Sequence, residues 1–192
     1  MPKFSDPIIM DLVKKYGPIV RKPRKDIFED IVDSIISQQL SVKAAATIYG
    51  RVKEKCKILT PQNILNVEDK ILRECGISWN KVSYVKDLAA KTLDGTLQLD
   101  KLDKMTDQEV IDHLVMVKGI GRWTAEMILM FTLVRPDIFP VDDLGIQNAM
   151  SKLYKLNRKT KTFKSKLVAI SNHWKPHRTL ACWYLWKSLN NT

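Results

Sequence analysis

What most limits the folds open to this chain is its punctuation: helix-start signals recur at short intervals, while the alternation that marks a strand is nearly absent. Ile27 to Ser37 places Ile27, Phe28, Ile31, Ile35 and Ile36 on one broad helical stripe. Ser41 caps a second helix running to about Cys56, and Gln38, Gln39 and Leu40 form the short link between the two. Thr60 before Pro61, Ser78 before the amphipathic run Trp79 to Leu93, and Thr106 with Glu109 as a capping box each mark a further start. Helices are also expected over Asp6 to Tyr16, Asp143 to Tyr154, Thr160 to Asn172 and Pro176 to Leu189. The fold class is all-α, with no internal repeat and no low-complexity linker.

With 192 residues, 45% of them hydrophobic, the chain can bury roughly 70% of its extended surface, enough for an apolar core without staples. Cys56, Cys75 and Cys182 are too few and too scattered for a disulfide scaffold or a four-thiolate iron-sulfur cluster, and read as reduced core thiols. Met1 to Met10 lacks a signal-peptide run, and nowhere do eighteen apolar residues stand together. The expectation is an intracellular protein with no membrane partner, cytoplasmic in a prokaryote or nuclear in a eukaryote.

Lys and Arg number 32 against 21 Asp and Glu, a net charge of +11 that favours a polyanionic partner. The excess is one-sided. No acidic residue follows Asp143, whereas Lys152, Lys155, Arg158, Lys159, Lys161, Lys164, Lys166, Lys175, Arg178 and Lys187 do. A surface shaped only for solubility usually mixes signs, so this segment reads as a footprint for phosphate.

The chemistry concentrates between Thr106 and Phe131, where a capped helix (TDQEVIDHLVM) runs into Val117-Lys118-Gly119-Ile120-Gly121 and then into RWTAEMILMF. Two glycines flanking one apolar residue let the backbone turn tightly with its amides bare, and the next helix begins there with its positive dipole end. Ile120 anchors the turn, Leu114, Val117 and Ala125 pack about it, and Lys118 and Arg122 flank it. This is the helix-hairpin-helix pattern of DNA-backbone binding.

Extended to VKGIGRWTAEMILMFTLVRPDIFPVDDLGIQNAM, the segment resembles the helix-hairpin-helix DNA glycosylases that begin base excision repair. Within them it is most similar to the alkylation-repair branch of the 3-methyladenine type. SIISQQLSVKAAATIYGRV (Ser34 to Val52), GISWNKVSYVKDLA (Gly76 to Ala89) and HWKPHRTLACWYLWK (His173 to Lys187) fit that branch in the same order. The resemblance implies a two-lobed helical domain over residues 1–192 with a central cleft. One lobe is expected at about 26–105, the other at about 1–25 plus 106–192, the latter holding the helix-hairpin-helix at 106–131.

The resemblance also implies roles. Asp143 falls at the catalytic carboxylate, a position that also suits an N-cap; Asp142 receives no role. Trp123, Met127 and Trp186 align with the base pocket, Met127 standing where some relatives have tyrosine. Lys118, Gly119, Gly121 and Arg122 would hold the DNA backbone. Gln38, Gln39, Leu40 and Ser41 resemble the loop that fills the gap left by a flipped nucleotide, with Gln39 or Leu40 as the wedge. Arg178 is expected in a structural ion pair.

The implied activity is monofunctional hydrolysis of the N-glycosidic bond of alkylated bases in double-stranded DNA, by a monomer that needs no cofactor or resident metal. A monovalent cation at the hairpin carbonyls is implied when DNA is bound. In bifunctional relatives a lysine follows the Gly-Arg pair; here Trp123 does, and indole nitrogen cannot form an imine. The alternatives are a bifunctional glycosylase and AP lyase using another lysine, and a non-catalytic helix-hairpin-helix DNA-binding module.

Overall fold

The computed structural model describes residues 3–189, so the extreme ends of the expected 1–192 domain lie outside the described residues. Every regular element among them is helical: α1 Pro7–Tyr16, α2 Ile27–Ser37, α3 Val42–Cys56, α4 Pro61–Asn66, α5 Asp69–Glu74, α6 Trp79–Leu93, α7 Asp107–Leu114, α8 Arg122–Phe131, α9 Leu144–Leu153, α10 Phe163–Ser171 and α11 Arg178–Leu189. Short 3-10 turns occupy Leu99–Lys104 and Asn172–Trp174. The caps form as their residue types dictate. Ser41 accepts from Ala44, Thr60 from Asn63 and Ser78 from Lys81, while Thr106 and Glu109 exchange both bonds of a capping box.

Packing divides the chain into two units. The first runs from Arg24 to Ile128. In it α6 packs against α2, α4 and α5, and α3 lies against α2 and α5, around Ile31, Ile35, Ile64, Val85 and Leu88. The second combines the residues up to Pro23 with those from Leu129 onward, and α11 packs there on α1 and α9 around Ile9, Ile146, Trp174 and Tyr184.

This division corrects one boundary. The sequence assigns 106–131 to the lobe formed by the chain ends, whereas packing joins α7, the hairpin and α8 as far as Ile128 to the unit that begins at Arg24. The reason is a set of contacts that no local pattern encodes: the Gln98 amide donates to His113 Nε2 at 2.9 Å, and Gln38, in the turn after α2, together with Tyr84 and Asp87 on α6 grips the hairpin itself, as described below.

All three cysteines are buried, and burial pushes the Cys56 and Cys75 thiols above their ordinary range. Among the described residues no helix is long and apolar enough to cross a membrane, and no group of three or more His, Cys, Asp or Glu is placed to hold a metal ion.

Candidate active site

In the unit beginning at Arg24, α2 ends in a turn that is fixed from outside. The ammonium of Lys81, on α6, donates to the carbonyls of Ile36 at 2.8 Å and Gln38 at 2.7 Å, satisfying orphan acceptors of the helix end. Burial lowers the affinity of that amine for its proton. Gln39 follows in the left-handed region with φ 58° and is exposed, as is Leu40. Ser41 then caps α3, so the four loop residues pass from one helix end to the next without slack. The Gln38 amide reaches across to the Gly119 carbonyl at 3.1 Å, tying the turn to the hairpin.

The hairpin hangs on Val117 and Ile120, both buried, with the Ile120 amide donating to the Val117 carbonyl at 3.1 Å. Gly119 has φ 79°, and a Cβ there would stand 2.1 Å from the Tyr84 ring, so glycine is required twice over. A Cβ on Gly121 would meet only open space.

The expectation of bare amides holds in part. Among the described residues the Gly119 and Gly121 N–H groups have no acceptor, but the Lys118 amide donates to Asp87 Oδ2 at 2.9 Å. Burial pushes the Asp87 carboxyl up, yet the hydrogen bonds from the Lys91 ammonium and Lys118 amide outweigh it and hold the group below the usual carboxylate range. Lys81, Tyr84 and Asp87 thus lie at helical spacing on α6 and support both loops from one side.

A cleft of about 560 Å³ opens beside these loops, lined by Ser34, Ser37, Gln38, Gln39, Gly119, Trp123, Thr124 and Met127. The structure therefore brings Gln38, Gln39, Gly119, Trp123 and Met127 together. Trp123 is 46% exposed despite its size, and Met127 lies one turn further along α8. Arg122 is directed elsewhere, its guanidinium donating to Glu126 at 3.1 Å.

In the second unit Asp143 caps α9 and is only 8% exposed. Its Oδ1 accepts from the Ile146 amide and from the Trp186 indole N–H, each at 2.8 Å. Gly145 makes room for this pair, since a Cβ there would lie 2.9 Å from Trp186 Cδ1 and Nε1 and 3.1 Å from Asp143 Oδ1. Sequence reasoning passed over Gly145; its only signal is a glycine in the first turn of a helix, where that residue is uncommon without cause. Trp186 lies against Phe131 with centroids 5.5 Å apart, Phe131 stacks on Trp183 at 6.2 Å, and the Arg21 guanidinium sits 5.0 Å over Phe131. Asp142 pairs with Lys164 at the surface, and Arg178 grips Asp137 with two nitrogens at 2.7 and 2.9 Å, a structural ion pair.

The model for the HhH-GPD superfamily base excision DNA repair proteins matches residues 32–172. The chain is 36% identical over 185 residues to DNA-3-methyladenine glycosylase 1 of Schizosaccharomyces pombe, covering 94% of this chain and 80% of that protein. Among solved structures it is similar to a DNA-3-methyladenine glycosidase from Bacillus halodurans, with TM-score 0.86, 34% identity, and 97% of this chain and 86% of that one covered. It is likewise similar to the S. pombe 3-methyladenine DNA glycosylase in complex with abasic DNA, with TM-score 0.84, 34% identity, and 97% and 93% covered. A match over most of the chain, a hairpin between two helices and a buried aspartate at the head of the next helix place it in one family: the chain belongs to the HhH-GPD superfamily of base excision DNA repair proteins.

Proposed function

We propose that this protein is a monofunctional DNA glycosylase that hydrolyses the N-glycosidic bond of alkylated bases such as 3-methyladenine, acting on a nucleotide flipped out of double-stranded DNA. The observation that carries the reading is the Asp143 carboxylate: buried, at the positive end of α9, with one oxygen held by two donors. Departure of the base leaves positive charge on the sugar, and a fixed carboxylate stabilises it. At about 4 Å and an effective dielectric near 20 the attraction is of order 4 kcal/mol, worth up to ~3 decades in rate where it is realised only in the transition state. The same group orients or deprotonates the attacking water.

An alkylated purine already carries positive charge and leaves without an enzyme acid. Recognition then rests on faces that favour a cation, and the exposed indole of Trp123 above Met127 offers one. The Gly119 and Gly121 amides, with Lys118 and Arg122 beside them, receive a backbone phosphate. Gln39, held outward by its left-handed backbone, enters the gap left by the flipped nucleotide. A monovalent cation at the hairpin carbonyls belongs to the same reading, and at Gly119 it has to displace the Gln38 amide. Trp123 in place of an amine, and a cleft lining without lysine among the described residues, favour hydrolysis over lyase chemistry.

The test is an excision assay on methylated duplex DNA with chromatographic identification of the released bases. Free alkylated base should appear, the strand should break only after hot alkali, and borohydride should trap no protein adduct. A stable adduct would promote the lyase reading, and binding without base release the non-catalytic one.

A further inference from the structure

From residue 152 to 166 every charged side chain is Lys or Arg, and all of them are exposed. This segment runs from the end of α9 into the first turn of α10 and is fastened along the stretch that bears Asp143. The Arg158 guanidinium donates to Asn148 Oδ1 and, at 3.4 Å, to Gln147 Oε1; Gln147 in turn donates to the Val141 carbonyl at 2.9 Å, and Lys164 pairs with Asp142 at 2.5 Å. Asn157 closes the turn, its side chain accepting from the Lys159 amide at 2.9 Å. Among the described residues the ammonium groups of Lys159 and Lys161 pair with no carboxylate, and none follows Asp143 in the sequence.

We propose that this ridge is a second phosphate-binding surface, which holds the DNA backbone close to the nucleotide presented to Asp143. The proposal rests on the reading of Asp143 given above. Its chemistry suits a duplex: a regular line of phosphates, about one charge per 1.7 Å of axis, is met by point charges that ask nothing of base sequence, and affinity comes from released counterions. Self-repulsion among unpaired cations destabilises the free protein, and contact with phosphate relieves it. The hairpin would then position the strand while the ridge supplies affinity to any sequence.

The experiment compares Lys159→Gln/Lys161→Gln/Lys166→Gln, which spares the anchoring Arg158 and Lys164, with a charge-matched control, Lys70→Gln/Lys101→Gln/Lys104→Gln, on exposed positions elsewhere. Binding to an undamaged duplex is measured against salt. For the ridge variant the slope of log K on log salt should flatten by about 2 to 3 relative to wild type, with affinity at low salt down roughly tenfold or more. The control should keep the wild-type slope. An unchanged slope, equal losses in both variants, or a larger loss on RNA duplex than on DNA would overturn the proposal. Failure of wild-type protein to release any base would sink the glycosylase reading instead, and the salt slopes would still decide whether the ridge binds DNA.

Discussion

The indole N–H of Trp186 and the amide of Ile146 both end on the same oxygen of Asp143, at 2.8 Å each. Two donors converging on one oxygen fix the plane of the carboxylate, so its orientation is set before any DNA arrives. Asp143→Asn presents a carbonyl oxygen to the same donors while removing the charge. Excision of alkylated bases should fall by at least ~2 decades, with helix content and affinity for undamaged duplex retained. Single-turnover kinetics beside a thermal melt checks this, and equal activity in the variant would remove Asp143 from the mechanism.

On the reading of Asp143 proposed above, Trp186 would act through that carboxylate, and two substitutions separate this role from packing. Trp186→Phe keeps an aromatic ring against Phe131 but lacks the donor; the loss of one hydrogen bond to a charged group should lower kcat roughly tenfold or more. KM for DNA should stay near wild type. Gly145→Ala drives a Cβ to 2.9 Å from the indole and should lower kcat in the same way by displacing it. A Phe variant with full kcat would show that Trp186 only packs.

The two hairpin glycines should answer alanine differently. Gly119→Ala meets both a positive φ and the Tyr84 ring, and should cost stability on the order of 1–3 kcal/mol or more. Gly121→Ala meets open space, so it should fold normally and weaken DNA binding regardless of lesion by standing where a phosphate approaches. Chemical denaturation and duplex titration of both variants give the comparison. Unchanged affinity in Gly121→Ala would remove the hairpin from DNA binding.

Asp87 gives the hairpin an acid limit. Its folded-state pKa lies below the ordinary value of 3.8, so its contribution to stability is fully present above that value and is lost as pH falls through the depressed one. Asp87→Asn should therefore remove part of the stability loss between neutral and strongly acid pH and loosen the hairpin at neutral pH. Urea midpoints for wild type and variant across that range test it, and parallel curves would show that the carboxylate is not coupled to folding.

Most helices were legible because their signals are local. Ser41, Thr60, Ser78 and Thr106 each bond an amide three residues on, and sequence displays such pairs directly. α5 went unread since Glu68 makes no side-chain cap bond, and the 3-10 turn at Leu99–Lys104 also lacks one. At the site, Asp143, Trp123 and the hairpin were visible through their motif. Tyr84, Asp87 and Gly145 were not: what makes them matter is a ring, an amide or an indole brought near by folding, and Asp87 lies 31 residues from the amide it holds.

The bond from Gln38 to Gly119 spans 81 positions of sequence and joins two loops that no helix connects directly. Lys81 and Asp87 secure the same two loops from a shared helix. Neither loop can therefore be exchanged alone: transplanting a longer or differently shaped turn at 38–41 from another protein would strand the Gly119 carbonyl and the Lys81 ammonium together. The pieces that travel as a heritable cassette are the turn, the hairpin and the intervening α6 face, and a graft that carries all three should keep its grip where a graft of the turn alone does not.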